Sequence, residues 1–161
     1  MGQTKEENGV YNDRKELYKK IEELRGKPLI TYVTSIRPNM SANMAGDAVS
    51  QIICQIEAIP ESVKDVDFLI ISNGGDPITS LRIISLLRER FKKISVIVPF
   101  VAYSAATILS LGADEILMHP FSNLGPVDPQ LTVSHSNEKG IQEHLQFSSE
   151  DLREALIKSA L

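Results

Sequence analysis

The chain has 161 residues, 42% hydrophobic and 24% charged, which is the composition of a soluble globular domain with one substantial core. A formal charge of −4, with no basic cluster, argues against nucleic acid as the main partner, because phosphate binding depends on lysine and arginine. The single cysteine, Cys54, excludes an internal disulfide and a cysteine-based zinc site; it is expected to pack as a small apolar residue on a helix.

The first residues, MGQTKEENGVYNDRKE, carry no apolar signal-peptide core, so a cytoplasmic protein is expected, with no indication of membrane association. Residues 1–10 read as disordered. Residues 13–24 place Leu17, Tyr18, Ile21 and Leu24 at helical spacing on a charged background, which predicts a peripheral or partner-contacting helix. Residues 1–26 are therefore expected to be an N-terminal extension, and residues 27–161 the main domain. Gly26 and Pro28 punctuate, residues 29–35 alternate as a strand, and residues 37–39 form a loop. Over residues 41–59 the positions Met44, Ala45, Ala48, Ile52, Ile53 and Ile56 make a helical stripe, with Asn39 or Ser41 as cap and Pro60 as the stop. A hydrophobic strand over 67–72, an Asn73-Gly74-Gly75 turn and a helix over 77–91 follow, with Ile78, Leu81, Ile84, Leu86 and Leu87 expected inward.

Residues 94–113 contain no charged side chain, a length that could span a membrane. The β-branched run 94–98, the interruption at Pro99 and the Ala/Leu-rich run 104–111 instead predict a buried strand and a short helix. Gly112 is the expected C-cap, and residues 115–118 are the next strand. His135 and His144 fall in a polar stretch, 132–146, that reads as a mobile or substrate-facing loop, and residues 152–161 read as a helix.

Strands alternating with helices of this length predict an α/β fold with right-handed crossovers, a mainly parallel sheet and ligand sites at the carboxyl ends of the strands. Gly74-Gly75 and Ser104 both lie at such ends and are expected to share one crevice. A serine at the start of a helix, beside a glycine turn without Cβ atoms, suits acyl transfer. Ser104 Oγ would attack a carbonyl while the backbone N–H groups of Gly75 and Ala105 receive the oxyanion. The simpler reading is a tight turn and an N-cap serine.

Residues 70–89 and 98–131 resemble the Clp-type serine peptidase superfamily, most closely its serine dehydrogenase proteinase branch, related to the signal peptide peptidase A type. The most specific pieces are the Gly-Gly turn, Tyr103-Ser104-Ala105-Ala106, the run 112–116 and the run 124–131. The resemblance implies a crotonase-like (ClpP-like) fold of repeated ββα units, Ser104 as nucleophile, oxyanion donors at Gly75 and Ala105, and assembly into a homo-oligomer, usually a ring. Gly74, Asp76 and Tyr103 are the expected substrate-binding residues, and the substrate a peptide or protein held in extended form. Asn73 stands where the family usually has proline, and Ala105-Ala106 where a glycine commonly follows the serine. The family's histidine position falls near Val127 or Asp128, where no histidine exists.

The base is therefore open. Relatives with a Ser-Lys dyad carry the lysine on a downstream helix, and Lys158, among Leu156, Ile157, Ala160 and Leu161, has the apolar setting that lowers a lysine pKa. A surface lysine near a helix C-terminus is the alternative. His119, before Pro120, reads as a boundary residue, and Asp128, before Pro129, as a turn former that could orient a base. No cofactor or metal is expected. Two rivals to a serine peptidase are a catalytically inactive scaffold or peptide-binding module and an acyl-CoA enzyme on the same fold.

Overall fold

Four parallel strands form the main sheet: β1 (Leu29–Val33), β2 (Asp65–Ile71), β3 (Lys93–Val98) and β5 (Glu115–Met118), in the order β1-β2-β3-β5. This computed structural model describes residues 5–37, 40, 42–127, 130–136 and 142–148, with side chains between residues 11 and 127. Register is continuous across the sheet, with Ile30 opposite Phe68, Phe68 opposite Val96, and Val96 opposite Ile116. One face carries Ile30, Val66, Phe68, Ile70, Ile94, Val96 and Val98, all fully buried. Side chains on a strand alternate between faces, so these residues together meet the helices.

The helices are α2 (Asp47–Glu57), α3 (Pro77–Arg90) and α4 (Ala105–Leu111). They bring Val49 and Ile52, then Ile83, Ile84 and Leu87, then Ala105, Ala106 and Leu109 onto that core. Full burial of each large side chain contributes about 1.5–3 kcal/mol, so this interface dominates the fold's stability.

Between each long strand and its helix lies a short second strand. Met44 bridges Gly75 and Ser72 bridges Ala102, both in parallel. The two-residue strand β4 (Val101–Ala102) pairs in parallel with β6 (Asn123–Leu124). Long strand, short strand, helix is thus repeated three times: the α/β architecture of stacked ββα units.

The second strand corrects one boundary. The helix expected from residue 41 begins only at Asp47, because Met44 is held extended: its N–H donates to Gly74 O at 2.7 Å and its carbonyl accepts from Asp76 N–H at 2.8 Å. Three further expectations are also corrected. Ile78 and Leu81 are exposed, and Thr79 and Ser80 face inward with Ile83, because the capped first turn sets the phase of α3. Cys54 lies on the exposed side of α2 rather than in the core. Finally α1 (Lys5–Arg25) takes in residues that read as disordered.

The uncharged run 94–113 is divided into β3, a turn, β4 and α4, and among the described residues no helix is long and apolar enough to cross a membrane.

The chain divides into two compact units, 1–125 and 126–161. In the second, β7 (Gln130–Ser136) and β8 (Gln142–Ser148) form an antiparallel hairpin in place of the expected loop. Leu131 lies opposite Phe147 and Val133 opposite Leu145, so a period-2 apolar pattern inside a polar stretch specifies the pairing. The helix expected over 152–161 lies outside the described residues.

Candidate active site

Ser72 directly follows β2 and fastens the glycine turn to its neighbour. Its N–H donates to Val101 O at 3.1 Å, and its carbonyl accepts from Tyr103 N–H at 3.0 Å. Its buried hydroxyl accepts from Gly74 N–H at 3.0 Å. The turn that follows admits only glycine. Gly74 has φ 94, and a Cβ there would stand 2.5 Å from Tyr103 O and 2.8 Å from Ser104 Cβ. Gly75 has φ 146, and a Cβ there would stand 2.3 Å from Met44 O. The pair therefore lets two backbones close on the turn from opposite sides.

Ser104 sits between β4 and α4 with φ 50 and ψ −118, the one non-glycine residue with positive φ among the described residues. Such a conformation costs about 1–3 kcal/mol and persists only where the surroundings enforce it. Here Tyr103 N–H and Ser72 O hold the strand side, while Ser104 O accepts from Thr107 N–H at 2.9 Å on the helix side. Ser104 is half-buried, and its hydroxyl makes no hydrogen bond with the described residues. A sharp strand-to-helix turn of this kind raises a nucleophile above the sheet in α/β-hydrolases.

The expected oxyanion donors lie on the two turns that Gly74 and Ser104 bring into contact. Among the described residues neither Gly75 N–H nor Ala105 N–H is engaged by a protein acceptor. The bridge between Met44 and Gly75 runs through Gly74 O and Asp76 N–H, which leaves the Gly75 N–H outside it.

Asp76 is an N-cap. Its carboxylate accepts from Thr79 Oγ1 at 2.6 Å, Ile78 N–H at 3.0 Å and Thr79 N–H at 3.1 Å, and these bonds hold its pKa below the usual carboxylate value. Its side chain thus fixes the start of α3 behind the glycine turn. Tyr103 is half-buried and packs on Gly125, where an added Cβ would stand 2.3 Å from Tyr103 Cδ1.

Sequence reasoning passed over two residues that assemble this region. Ser72 is one. The other is Thr107, whose hydroxyl lies 2.6 Å from Ala102 O, 3.0 Å from Gly125 O and 3.2 Å from Gly125 N. It binds α4, β4 and the end of β6 together beside Tyr103 and Ser104. Its position one turn after Ser104, on a helix whose other residues apart from Ser110 are apolar, is the available signal.

His119 closes β5. Its Nδ1 accepts from Phe121 N–H at 3.2 Å, so a neutral ring carries its proton on Nε2, and the backbone N–H of His119 donates to Ser122 Oγ at 3.0 Å. Lys158 and Asp128 lie outside the described residues, and His135 and His144 lie on the hairpin of the second unit. Among the described residues no group of three or more His, Cys, Asp or Glu side chains is arranged to hold a metal ion.

Stacked ββα units with a strained serine turn against a glycine turn define an α/β fold of the ClpP-like type. The chain belongs to the ClpP-like SDH-type serine proteinase family, whose model matches residues 10–138. Two Methanocaldococcus jannaschii proteins are similar in sequence: uncharacterized protein MJ0137, 34% identical over 120 residues, and uncharacterized protein MJ1495, 37% identical over 81 residues. The matched regions are 69% and 50% of this chain but 42% and 27% of those proteins, so the chain spans less than half the length of either. Among solved structures, a ClpP1 variant from Listeria monocytogenes superposes with a TM-score of 0.44 at 17% identity, covering 60% of this chain and 51% of that one.

Proposed function

We propose that the chain is a serine peptidase domain that cleaves peptide bonds by acyl transfer through Ser104. The observation that carries this reading is Ser104 itself, an L-residue held at φ 50 against a turn that tolerates only glycine, with two uncommitted N–H donors beside it. Ser104 Oγ adds to the scissile carbonyl carbon as a base takes its proton. The resulting oxyanion is received by Gly75 and Ala105 N–H, and each such donor is worth about 2.7–4 kcal/mol at the transition state. Collapse releases the amine, which takes the proton from the base, and water then hydrolyses the acyl-enzyme. Lys158 is the base we assign; it stands among Leu156, Ile157, Ala160 and Leu161 in the sequence, and a lysine that is buried becomes neutral enough to accept the proton. Gly74, Asp76 and Tyr103 border the path of an extended peptide, and the chain works as a cytoplasmic homo-oligomer.

A second reading, a peptidase-like binding module, is favoured by one observation: the Ser104 hydroxyl has no base against it among the described residues. Intact-mass labelling with a fluorophosphonate decides between the two. Single-site labelling that disappears in Ser104→Ala and falls in Lys158→Ala supports the dyad. Labelling that ignores Lys158 moves the base elsewhere, and no labelling of folded, assembled protein leaves the binding module.

A further inference from the structure

We infer that the N-terminal helix α1 is a docking arm that seats in the groove between α2 and α3 of a second copy of this chain. The inference goes beyond the peptidase reading and does not depend on it.

The helix has 21 residues and is about 31 Å long, and among its described side chains only those of the last two turns touch the protein. Every described side chain from Tyr11 to Leu17 is exposed, and Tyr18, Ile21, Glu22 and Arg25 make the contact. A helix without tertiary packing is marginal in water, so the exposed stretch from Tyr11 to Leu17 calls for a partner. It also carries a seam for one. Asp13, Leu17, Lys20 and Leu24 recur at the i, i+4, i+7, i+11 spacing of a single helix face, with Leu17 57% and Leu24 87% exposed.

The matching surface is an open groove of about 530 Å³ walled by Val49 and Ile53 on one side and by Ile78, Leu81, Arg82, Ser85, Leu86 and Glu89 on the other. Ile78 and Leu81 are 66% and 53% exposed. Along the rim, Arg82 and Glu89 stand seven residues apart, the same interval as Asp13 and Lys20 on the arm. With the two helices running in the same direction, Asp13 meets Arg82, Lys20 meets Glu89, and Leu17 lies between them over Leu86. Among the described residues none of these four charged side chains is in an ion pair.

The arm is kept from its own groove. Arg25, at its root, is bound to Asp67 at 2.7 Å. Asp67 alternates with Val66 and Phe68, so it lies on the sheet face opposite α2 and α3. An arm from one copy entering a groove on the next is a head-to-tail contact, which closes into a ring when the rotation allows.

Disulfide trapping tests the contact without reference to activity. In a Cys54→Ser background, Leu17→Cys and Ser85→Cys are made as separate full-length proteins, mixed and mildly oxidised. The expected product is a Leu17→Cys to Ser85→Cys heterodimer. Lys20→Glu should weaken assembly by about two- to five-fold in sedimentation, and adding Glu89→Lys should restore it. A disulfide formed only between two Leu17→Cys chains, an assembled protein with no cross-link, or a wild-type chain that sediments as a monomer would each overturn the proposal.

Discussion

Gly74 and Ser104 touch: a Cβ placed on Gly74 would stand 2.8 Å from the Cβ of Ser104, although the two residues are on different ββα units. The contact places the glycine turn and the serine turn at a fixed separation. Tyr103 O at 2.5 Å and Ala105 N at 3.1 Å from the same point are backbone atoms and cannot rotate away.

Gly74→Ala should therefore displace the serine turn while keeping every functional group. We expect fluorophosphonate labelling of Ser104 to fall by about 10²-fold or more, the scale on which a lost oxyanion donor acts. The fold should lose more than about 1 kcal/mol in urea denaturation, since alanine is also strained at positive φ. Near wild-type labelling would show that the two turns do not cooperate.

The strain at Ser104 gives a second prediction, read as stability. Ser104→Gly and Ser104→Ala both remove the proposed nucleophile, but only glycine relaxes φ 50. The glycine variant should be the more stable by about 1 kcal/mol, equivalent to a Tm difference of about 2–4 °C in a chain of this size. An alanine variant equal or superior in Tm would mean that the turn is not enforced by its neighbours.

Much of this site could be read from residues alone, for a physical reason. Gly74-Gly75 follows a β-branched strand and Ser104 precedes an alanine-rich helix, and each pattern is local. The long strands were legible too, because their apolar runs are set by burial against helices. The short second strands were not. Met44 and Ser72 each contribute a single bridge and β4 only two residues, too little for any periodicity, so the helix stripe that includes Met44 was extended across a residue whose backbone is tied to Gly75. The phase of α3 escapes the apolar pattern for a related reason: Ile78 and Leu81 are apolar but exposed, and the buried face carries Thr79 and Ser80, whose hydroxyls bond Asp76 and Pro77 O.

Thr107 tests how the site is braced. Its hydroxyl is buried and meets Ala102 O, Gly125 O and Gly125 N. Thr107→Val keeps the shape but takes the hydroxyl from Gly125 O, while Gly125 N–H and Ala102 O keep their own bond at 3.1 Å, and should cost about 1–3 kcal/mol. Labelling of Ser104 should fall as well, because Gly125 anchors the Tyr103 ring. Thr107→Ser should restore both, and a valine variant unchanged in stability would refute the bracing role.

The root of α1 gives a larger effect. Asp67 is fully buried and is held by Arg25 at 2.7 Å, with Lys27 Nζ further off at 3.6 Å. The carboxylate raises the pKa of Arg25 through its hydrogen bond. Removing one partner of a buried pair typically costs about 3–5 kcal/mol, and the remaining lysine places Arg25→Met at the low end of that range. The paired change Arg25→Met with Asp67→Leu should recover much of the loss. If Arg25→Met alone proves neutral in chemical denaturation, the pair does not anchor the helix.

Acid should weaken the fold through exposed carboxylates whose pKa values are lowered when folded. Asp114 accepts from Ile94 N–H and from Arg88, and Glu115 accepts from Ser95 Oγ; each is held below its usual value by those bonds. A carboxylate with a depressed folded pKa contributes stability above its unfolded pKa of about 4, and that contribution fades as the pH falls through the lower folded pKa. The urea midpoint should thus stay level from neutral pH to about pH 5 and decline steadily below about pH 4. In the variant carrying Asp114→Asn the wild-type advantage near neutrality should be lost and the acid slope made shallower, because the unfolded chain no longer binds a proton there that the folded chain resists. An identical acid slope in both proteins would remove Asp114 from the titration.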